Sequence, residues 1–282
     1  MQVFETIAEF RAARRELTGS LGLVPTMGYL HDGHIALVRK ALAENDAVVV
    51  SIFVNPTQFG PNEDFTAYPR DMEHDLAVLG ETNANLVFAP TVEEMYPKDF
   101  QTAVEVSSVS QGLEGARRPG HFRGVATVVA KLFNVVQPDR AYFGQKDAQQ
   151  GAVIRQMVSD LAMPLQIVVA PTVRAPDGLA LSSRNSYLTA QQRLAAPVLH
   201  RALLAAQARY DAGERFPDAL RAAMREVLDR EPLAEVDYVS AADATTLAEL
   251  DAPSDRPILL SMAVRIGKPR LIDNIILGKT ES

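Results

Sequence analysis

The chain has 282 residues, 47% hydrophobic and 22% charged, which is enough apolar content for one large domain or two ordinary ones. Its lack of cysteine excludes disulfides, thiolate nucleophiles and cysteine-ligated zinc or iron–sulfur centres, so any metal must be held by oxygen or imidazole. A net charge of −7 excludes a surface that coats nucleic acid, and no apolar run approaches the ~18 to 20 residues that cross a bilayer.

Glu5 and Glu9 interrupt the N-terminal stretch where a signal peptide needs an apolar core, so a cytoplasmic setting with no membrane partner is expected. The first buried strand is predicted at 21–25 and runs into the turn Thr26-Met27-Gly28. His31-Asp32-Gly33-His34 then opens a helical-period stretch over 34–45, through Ile35, Leu37, Val38 and Leu42. A helix N-terminus presents unpaired N–H groups and the positive pole of the dipole, and two imidazoles there add donors, a combination that suits a triphosphate. His-x-x-His is also a metal-pair spacing. The order strand, glycine loop, helix favours phosphate, because it places the ligand at the carboxyl edge of a sheet.

A second strand is predicted at 47–54, and Asn55-Pro56-Thr57-Gln58-Phe59 follows it at the same edge. The uncharged amides of Asn55 and Gln58 suit a hydroxylated organic acid. At the start of a predicted helix over 69–80, Asp71, Glu73 and Asp75 read either as carboxylates meeting the helix dipole or as a magnesium contact. A strand at 86–89, a helix over 122–136 and a strand at 141–143 lead to Phe143-Gly144-Gln145-Lys146-Asp147, which repeats the strand, glycine turn, helix order. Lys146, one of only six lysines, stands where it can pair with a phosphate as a point charge. Gln149 and Gln150 open the next helix, over 147–162, and only one of two helix neighbours can face a ligand. With a strand at 166–170, the alternation implies a Rossmann-like, doubly wound parallel α/β sheet.

After about residue 175 the rhythm changes. The turn cluster Arg174-Ala175-Pro176-Asp177-Gly178 precedes Leu181-Ser182-Ser183-Arg184-Asn185, whose hydroxyls and guanidinium read as a polyphosphate clamp or, taken alone, as a capping serine with a solvated arginine. Helices over 190–212 and 216–230 and strands at 236–240, 258–264 and 270–277 follow, the last two joined through Ile266-Gly267-Lys268-Pro269. The expected organisation is a catalytic domain over 1–176, binding nucleotide and acid, and a smaller α+β lid over 177–282.

Taken together, these motifs identify a resemblance to the pantoate–β-alanine ligases of the HIGH-motif nucleotidylyltransferase superfamily. It is carried by Pro25-Thr26-Met27-Gly28 with the HDGH quartet, Phe53 to Phe59, Tyr68-Pro69-Arg70, Arg118-Pro119-Gly120-His121-Phe122-Arg123-Gly124-Val125, Phe143 to Asp147 and Leu181 to Asn185. The resemblance implies condensation of pantoate with β-alanine through a pantoyl adenylate, with ATP and Mg²⁺ required, AMP and pyrophosphate released, and a homodimeric assembly. It further implies that Met27, Gly28, Tyr29, Leu30, His31, Asp32, Gly33 and His34 cradle ATP, with His34 catalytic. Gly144, Gln145, Lys146, Asp147, Val173, Leu181, Ser182, Ser183 and Arg184 would complete the nucleotide site, while Gln58 and Gln150 hold pantoate. His31, Lys146, Ser182, Ser183 and Arg184 would join His34 in meeting charge on the phosphates, and Asn55 would line the acid pocket. In two places the chain departs from the family pattern. His74 stands where an acidic residue often precedes Asp75, leaving Asp75 as the lone metal candidate, and Leu181 stands where methionine is frequent. Two other readings compete: a nucleotidyltransferase that moves AMP to a phosphate acceptor, and a nucleotide sensor without turnover.

Overall fold

In the computed structural model, which describes residues 1–61 and 63–278, the run Ala47–Ile52 is buried at every position. A strand apolar on both faces belongs in the middle of a covered parallel sheet, and that is its place. The sheet comprises β1 (Gln2–Phe4), β2 (Leu21–Thr26), β3 (Ala47–Ile52), β4 (Leu86–Phe88), β5 (Arg140–Gly144) and β6 (Gln166–Ala170), in the order β1-β4-β3-β2-β5-β6. Every pairing in it is parallel. The strand order reverses between β2 and β5, which is the switch point at whose carboxyl edge doubly wound folds bind ligands.

The intervening helices are α1 (Ile7–Arg14), α2 (Asp32–Glu44), α3 (Met72–Gly80), the short α4 (Val92–Met95) and α5 (Leu113–Arg117), α6 (His121–Val136) and α7 (Ala148–Asp160). Val24, Val48 and Val50 of the sheet share a core with Ile35, Val38 and Ala41 of α2 and Leu79 of α3. β1 and α1 have no counterpart among the predicted elements. β1 is three residues long at the sheet edge, and α1 buries only Phe10, whose ring lies 4.8 Å from that of Phe88. One buried position in eight leaves almost no periodic signal.

The chain divides into two compact units, the first comprising Met1–Gly144 with Val153–Pro171, and the second Gln145–Ala152 with the chain from Thr172 onward. The second unit has its own antiparallel sheet of β7 (Ala234–Asp243), β8 (Ile258–Ile266) and β9 (Arg270–Leu277), in that order. Its helices are α8 (Ala190–Ala195), α9 (Val198–Asp211) and α10 (Pro217–Leu228). The predicted helix over 190–212 is thus two helices, broken at Pro197, whose ring has no N–H and clashes with the preceding turn. Leu199, Leu203, Leu220 and Met224 form a core with Leu260, Met262 and Val264 of β8. Gly267 takes φ +67 in the β8–β9 loop, where Ile266 N donates to Pro269 O at 3.1 Å.

Candidate active site

His31 and His34 are placed by the start of α2. His31 is the N-cap, its Nδ1 accepting from Gly33 N at 3.1 Å, while His34 Nδ1 accepts from His31 N at 3.3 Å. This reciprocal capping box uses imidazoles where serine and glutamate usually serve. A neutral imidazole whose Nδ1 accepts a hydrogen bond carries its proton on Nε2, so both rings take the tautomer that donates from Nε2. Their centroids are 4.0 Å apart with planes tilted at 31°, so the two rings lie in contact. That tautomer suits an anion and does not suit a metal, whose histidine ligands commonly donate from the ring nitrogen that does not bind it. No group of three or more His, Asp or Glu residues placed to hold a metal ion occurs among the described residues.

The loop between β2 and α2 is held open by one carboxylate. Gly28 and Tyr29 take φ +79 and +50, and Asp75, 1% exposed on α3, accepts from Tyr29 N at 2.8 Å and Leu30 N at 2.6 Å. A Cβ at Gly28 would stand 2.8 Å from Asp75 Oδ2, so this turn requires glycine both for its φ and for space. Burial pushes the Asp75 carboxyl above its ordinary pKa, against the lowering effect of the two backbone N–H groups. Asp75 is 1% exposed, turns both oxygens to backbone N–H groups and belongs to no cluster of carboxylates or imidazoles placed to hold a metal among the described residues, so it does not fit the magnesium-ligand role expected of it. His74, the departure noted in the sequence, lies with Nε2 3.3 Å from Leu30 O and supports the same loop. Asp71 caps α3, accepting from His74 N at 3.0 Å.

Gln58 lies in a 3₁₀ turn, Pro56–Gln58, just beyond β3, and is 9% exposed. Its Oε1 accepts from Asn55 Nδ2 at 3.0 Å and its Nε2 lies 3.2 Å from Met27 Sδ, which joins the glutamine to the loop between β2 and α2. Asn55 is expected from sequence to line the acid pocket, but the polar atoms of its side chain are committed elsewhere. Its Nδ2 also donates to Gly124 O, while Oδ1 accepts from Thr57 N, Thr57 Oγ1 and the Tyr96 hydroxyl. Asn55 therefore orients Gln58. α6 packs so closely here that a Cβ at Gly124 would stand 2.3 Å from Thr57 O.

A third support of Gln58 has no role assigned from sequence. Arg118 holds Glu63 in a fork, Nε to Oε1 at 2.6 Å and Nη2 to Oε2 at 2.7 Å, and its Nη1 lies 3.1 Å from His121 Nε2. On the other side of the ring, His121 Nδ1 lies 2.8 Å from Gln58 O. Because the carbonyl can only accept and the guanidinium can only donate, His121 is neutral with its proton on Nδ1. Burial, reinforced by the Arg118 charge, pushes its pKa down to about 4. Glu63 lies below the ordinary range although burial raises it, because Arg118 bonds and charge outweigh the burial. The signal for this cluster is the polar set Arg118-Pro119-Gly120-His121 at the entry to an apolar helix.

In the second unit, Gln145, Lys146 and Asp147 form a 3₁₀ turn leading into α7, with Lys146 Nζ 3.4 Å from Asp147 Oδ1. Gly144, the last residue of β5 and of the first unit's opening segment, has no described atom beyond its two chain neighbours within 4 Å of where a Cβ would lie. Of the two glutamines that follow, Gln149 is buried and Gln150 half-buried. Val173 and Leu181 are brought together by Leu181 N donating to Val173 O at 3.0 Å. Ser182 caps the short helix Ser183–Tyr187, its Oγ accepting from Arg184 N at 3.3 Å, so the capping reading of this serine holds.

Comparison with known proteins gives a consistent result. The pantoate–β-alanine ligase family model matches residues 2–276. The pantothenate synthetase of Herpetosiphon aurantiacus is 62% identical over 277 residues, covering 98% of this chain and all of that protein, and that of Chloroflexus aggregans is 64% identical over the same length. Among solved structures, pantothenate synthetase from Thermus thermophilus matches with a TM-score of 0.92 at 50% identity, covering 98% of this chain and 99% of that one. Pantoate–β-alanine ligase from Francisella tularensis, complexed with β-γ ATP and β-alanine, matches with a TM-score of 0.80 at 36% identity, covering 98% and 97%. The glycine turn at Gly28, the imidazole-capped α2 and the buttressed Gln58 are thus set in a fold shared with these enzymes along nearly its whole length, and the chain belongs to the pantoate–β-alanine ligase family.

Proposed function

We propose that this chain joins pantoate to β-alanine at the expense of ATP in two steps, by way of an enzyme-bound pantoyl adenylate. In the first, the pantoate carboxylate attacks the α-phosphorus of ATP, the bond to the β-phosphate oxygen breaks, and pyrophosphate leaves. In the second, the neutral amine of β-alanine attacks the acyl carbon, AMP leaves with the acyl–oxygen electron pair, and the nitrogen loses a proton. Negative charge grows on the phosphates in the first step and must be met by donors already in place. The observation that carries this reading is the capping box at α2, which fixes His31 and His34 as Nε2 donors.

On this reading Met27 to His34 cradle the nucleotide, and His34 Nε2 donates to a phosphate oxygen as its charge develops. Gly144 to Asp147, Val173, Leu181 and Ser182 to Arg184 complete the nucleotide contacts, with Lys146 and Arg184 as the cations. Gln58 and Gln150 hold pantoate, and Asn55 acts only by orienting Gln58. A divalent cation such as Mg²⁺ would enter with the triphosphate, whose oxygens are its usual ligands, and it takes no separate step. The homodimer and cytoplasmic setting expected from the sequence belong to the same proposal. The Francisella enzyme, a relative over the full chain, is described in complex with β-γ ATP and β-alanine, and this supports the choice of substrates.

The test is a product assay with ATP, pantoate and β-alanine. Pantothenate and AMP should appear in equal amounts, and His34→Ala should lower the turnover about 10²- to 10³-fold, as removal of one preorganised donor does. Formation of AMP at an undiminished rate without pantoate would contradict the proposal and favour transfer to another acceptor.

A further inference from the structure

Asparagine is poorly suited to the middle of a strand, and a buried amide is costly unless its polar atoms are paired. Asn274 is 4% exposed within β9, opposite Ser261 of β8, which itself lies opposite Ser240 of β7. Its amide turns toward one short segment. Nδ2 donates to Gln145 O at 3.0 Å and to Lys146 O at 2.8 Å, and Oδ1 accepts from Gln145 Nε2 at 2.9 Å. Three bonds from one planar group to two consecutive residues fix both the position of that turn and its rotation.

The preceding residue performs the same task on a second segment. Asp273, 2% exposed, forms a fork with Arg174 at 2.7 and 2.9 Å, and Arg174 Nη1 donates onward to Gly178 O at 3.0 Å. Arg174 and Ala180 are bridged across this hairpin, which leads directly into Leu181 and Ser182. Asn274 N donates to Asp273 Oδ1 at 2.8 Å, tying the two grips together. Strand side chains alternate, so Asp273 shares a face with Leu271 and Ile275 while Asn274 points to the opposite face. Two neighbours on β9 thus hold the Lys146 turn and the approach to Ser182–Arg184 against one sheet.

We propose that Asn274 is a positioning residue for Lys146, holding the backbone at Gln145 and Lys146 so that the ammonium is presented to the triphosphate in fixed register with the serine–arginine segment. The proposal rests on the reading of Lys146 as a phosphate contact. Asn274 touches no substrate, and its effect passes entirely through where Lys146 sits.

The experiment is pantoate-dependent exchange of labelled pyrophosphate into ATP, measured on the full chain with Asn274→Ser, Asn274→Asp, Lys146→Ala and the double variant Asn274→Ser/Lys146→Ala. Lys146→Ala should lower exchange about 10²-fold or more. Each Asn274 variant should lower it about tenfold with the KM for pantoate unchanged, because misplacing a catalytic group is expensive even when it is still present. In the Lys146→Ala background, Asn274→Ser should cause no further loss, since two residues acting through one group are not additive. Multiplicative losses in the double variant, or wild-type exchange in both Asn274 variants, would overturn the proposal. Full exchange by Lys146→Ala alone would overturn instead the reading of Lys146 on which it rests. Asn274→Asp keeps the side-chain size, so it reads the loss of the two donors even if the serine variant does not fold.

Discussion

His121 makes the stability of this chain depend on pH between about 4 and 6.5. In the folded chain its pKa is about 4, pushed down by burial and by Arg118, whereas an unfolded imidazole titrates near 6.5. Between these values the unfolded chain binds a proton that the folded chain does not, so stability falls as pH falls through the window and is fully present above about 6.5. At pH 5 the gap traversed is roughly 1.5 units, or about 2 kcal/mol. Glu63, held below its ordinary value, also contributes stability lost on acidification, but its window begins at the ordinary carboxyl value of 4.5 and runs downward. His121→Asn removes the imidazole while leaving a donor for Gln58 O, at a cost of about 1 to 2 kcal/mol at pH 7.5. Urea unfolding followed by far-UV circular dichroism, the natural probe for a chain without tryptophan, should therefore show the variant gaining about 2 kcal/mol on wild type between pH 7.5 and pH 5, so that its deficit vanishes or reverses. A deficit of the same size at both pH values would refute the assignment of a neutral, buried His121.

Other perturbations address the supports of the site. Asp75→Asn leaves one oxygen to serve two backbone N–H groups and points an amide N–H at the other, so stability should fall by about 1 to 3 kcal/mol and the first half-reaction by about tenfold or more; unchanged urea midpoints and exchange rates would show that the carboxylate does not hold the loop. Gly124→Ala drives a methyl into Thr57 O, and since backbone must yield, steady-state kinetics should show the KM for pantoate rising about tenfold with the KM for ATP less affected. Equal rises in both constants would argue against a specific effect on the Gln58 turn.

Much of the fold can be read directly from the amino-acid pattern, for reasons that can be named. Ala47–Ile52 is apolar at nearly every position because both faces of β3 are covered, and such runs alternating with helical periods leave few alternatives to a parallel sheet. α1 escapes because its burial is confined to Phe10, and the predicted 190–212 helix is two because Pro197 carries more weight than the continuous apolar period around it.

The candidate site divides in the same way. The HDGH quartet is legible because its chemistry is local: His31 and His34 cap the helix they begin, and their tautomers follow from bonds within four residues. Asn55 reads from sequence as a pocket wall because an amide can face a ligand or brace a neighbour, and only the partners supplied by Gly124 and Tyr96, 69 and 41 residues away, decide for bracing. Asp75 reads as a cap or a metal ligand until its partners 45 and 46 residues upstream are seen. The Arg118–Glu63–His121–Gln58 chain joins residues as far as 63 positions apart, a distance over which local pattern carries no information.

If pantoate is activated as an adenylate before β-alanine takes any part, the first step must run forward and back on its own. Exchange of labelled pyrophosphate into ATP, measured with pantoate present and β-alanine absent, tests this most directly. The exchange should depend on pantoate and be lost in His34→Ala. Exchange that occurs only when β-alanine is added, or that proceeds equally without pantoate, would contradict the two-step reaction.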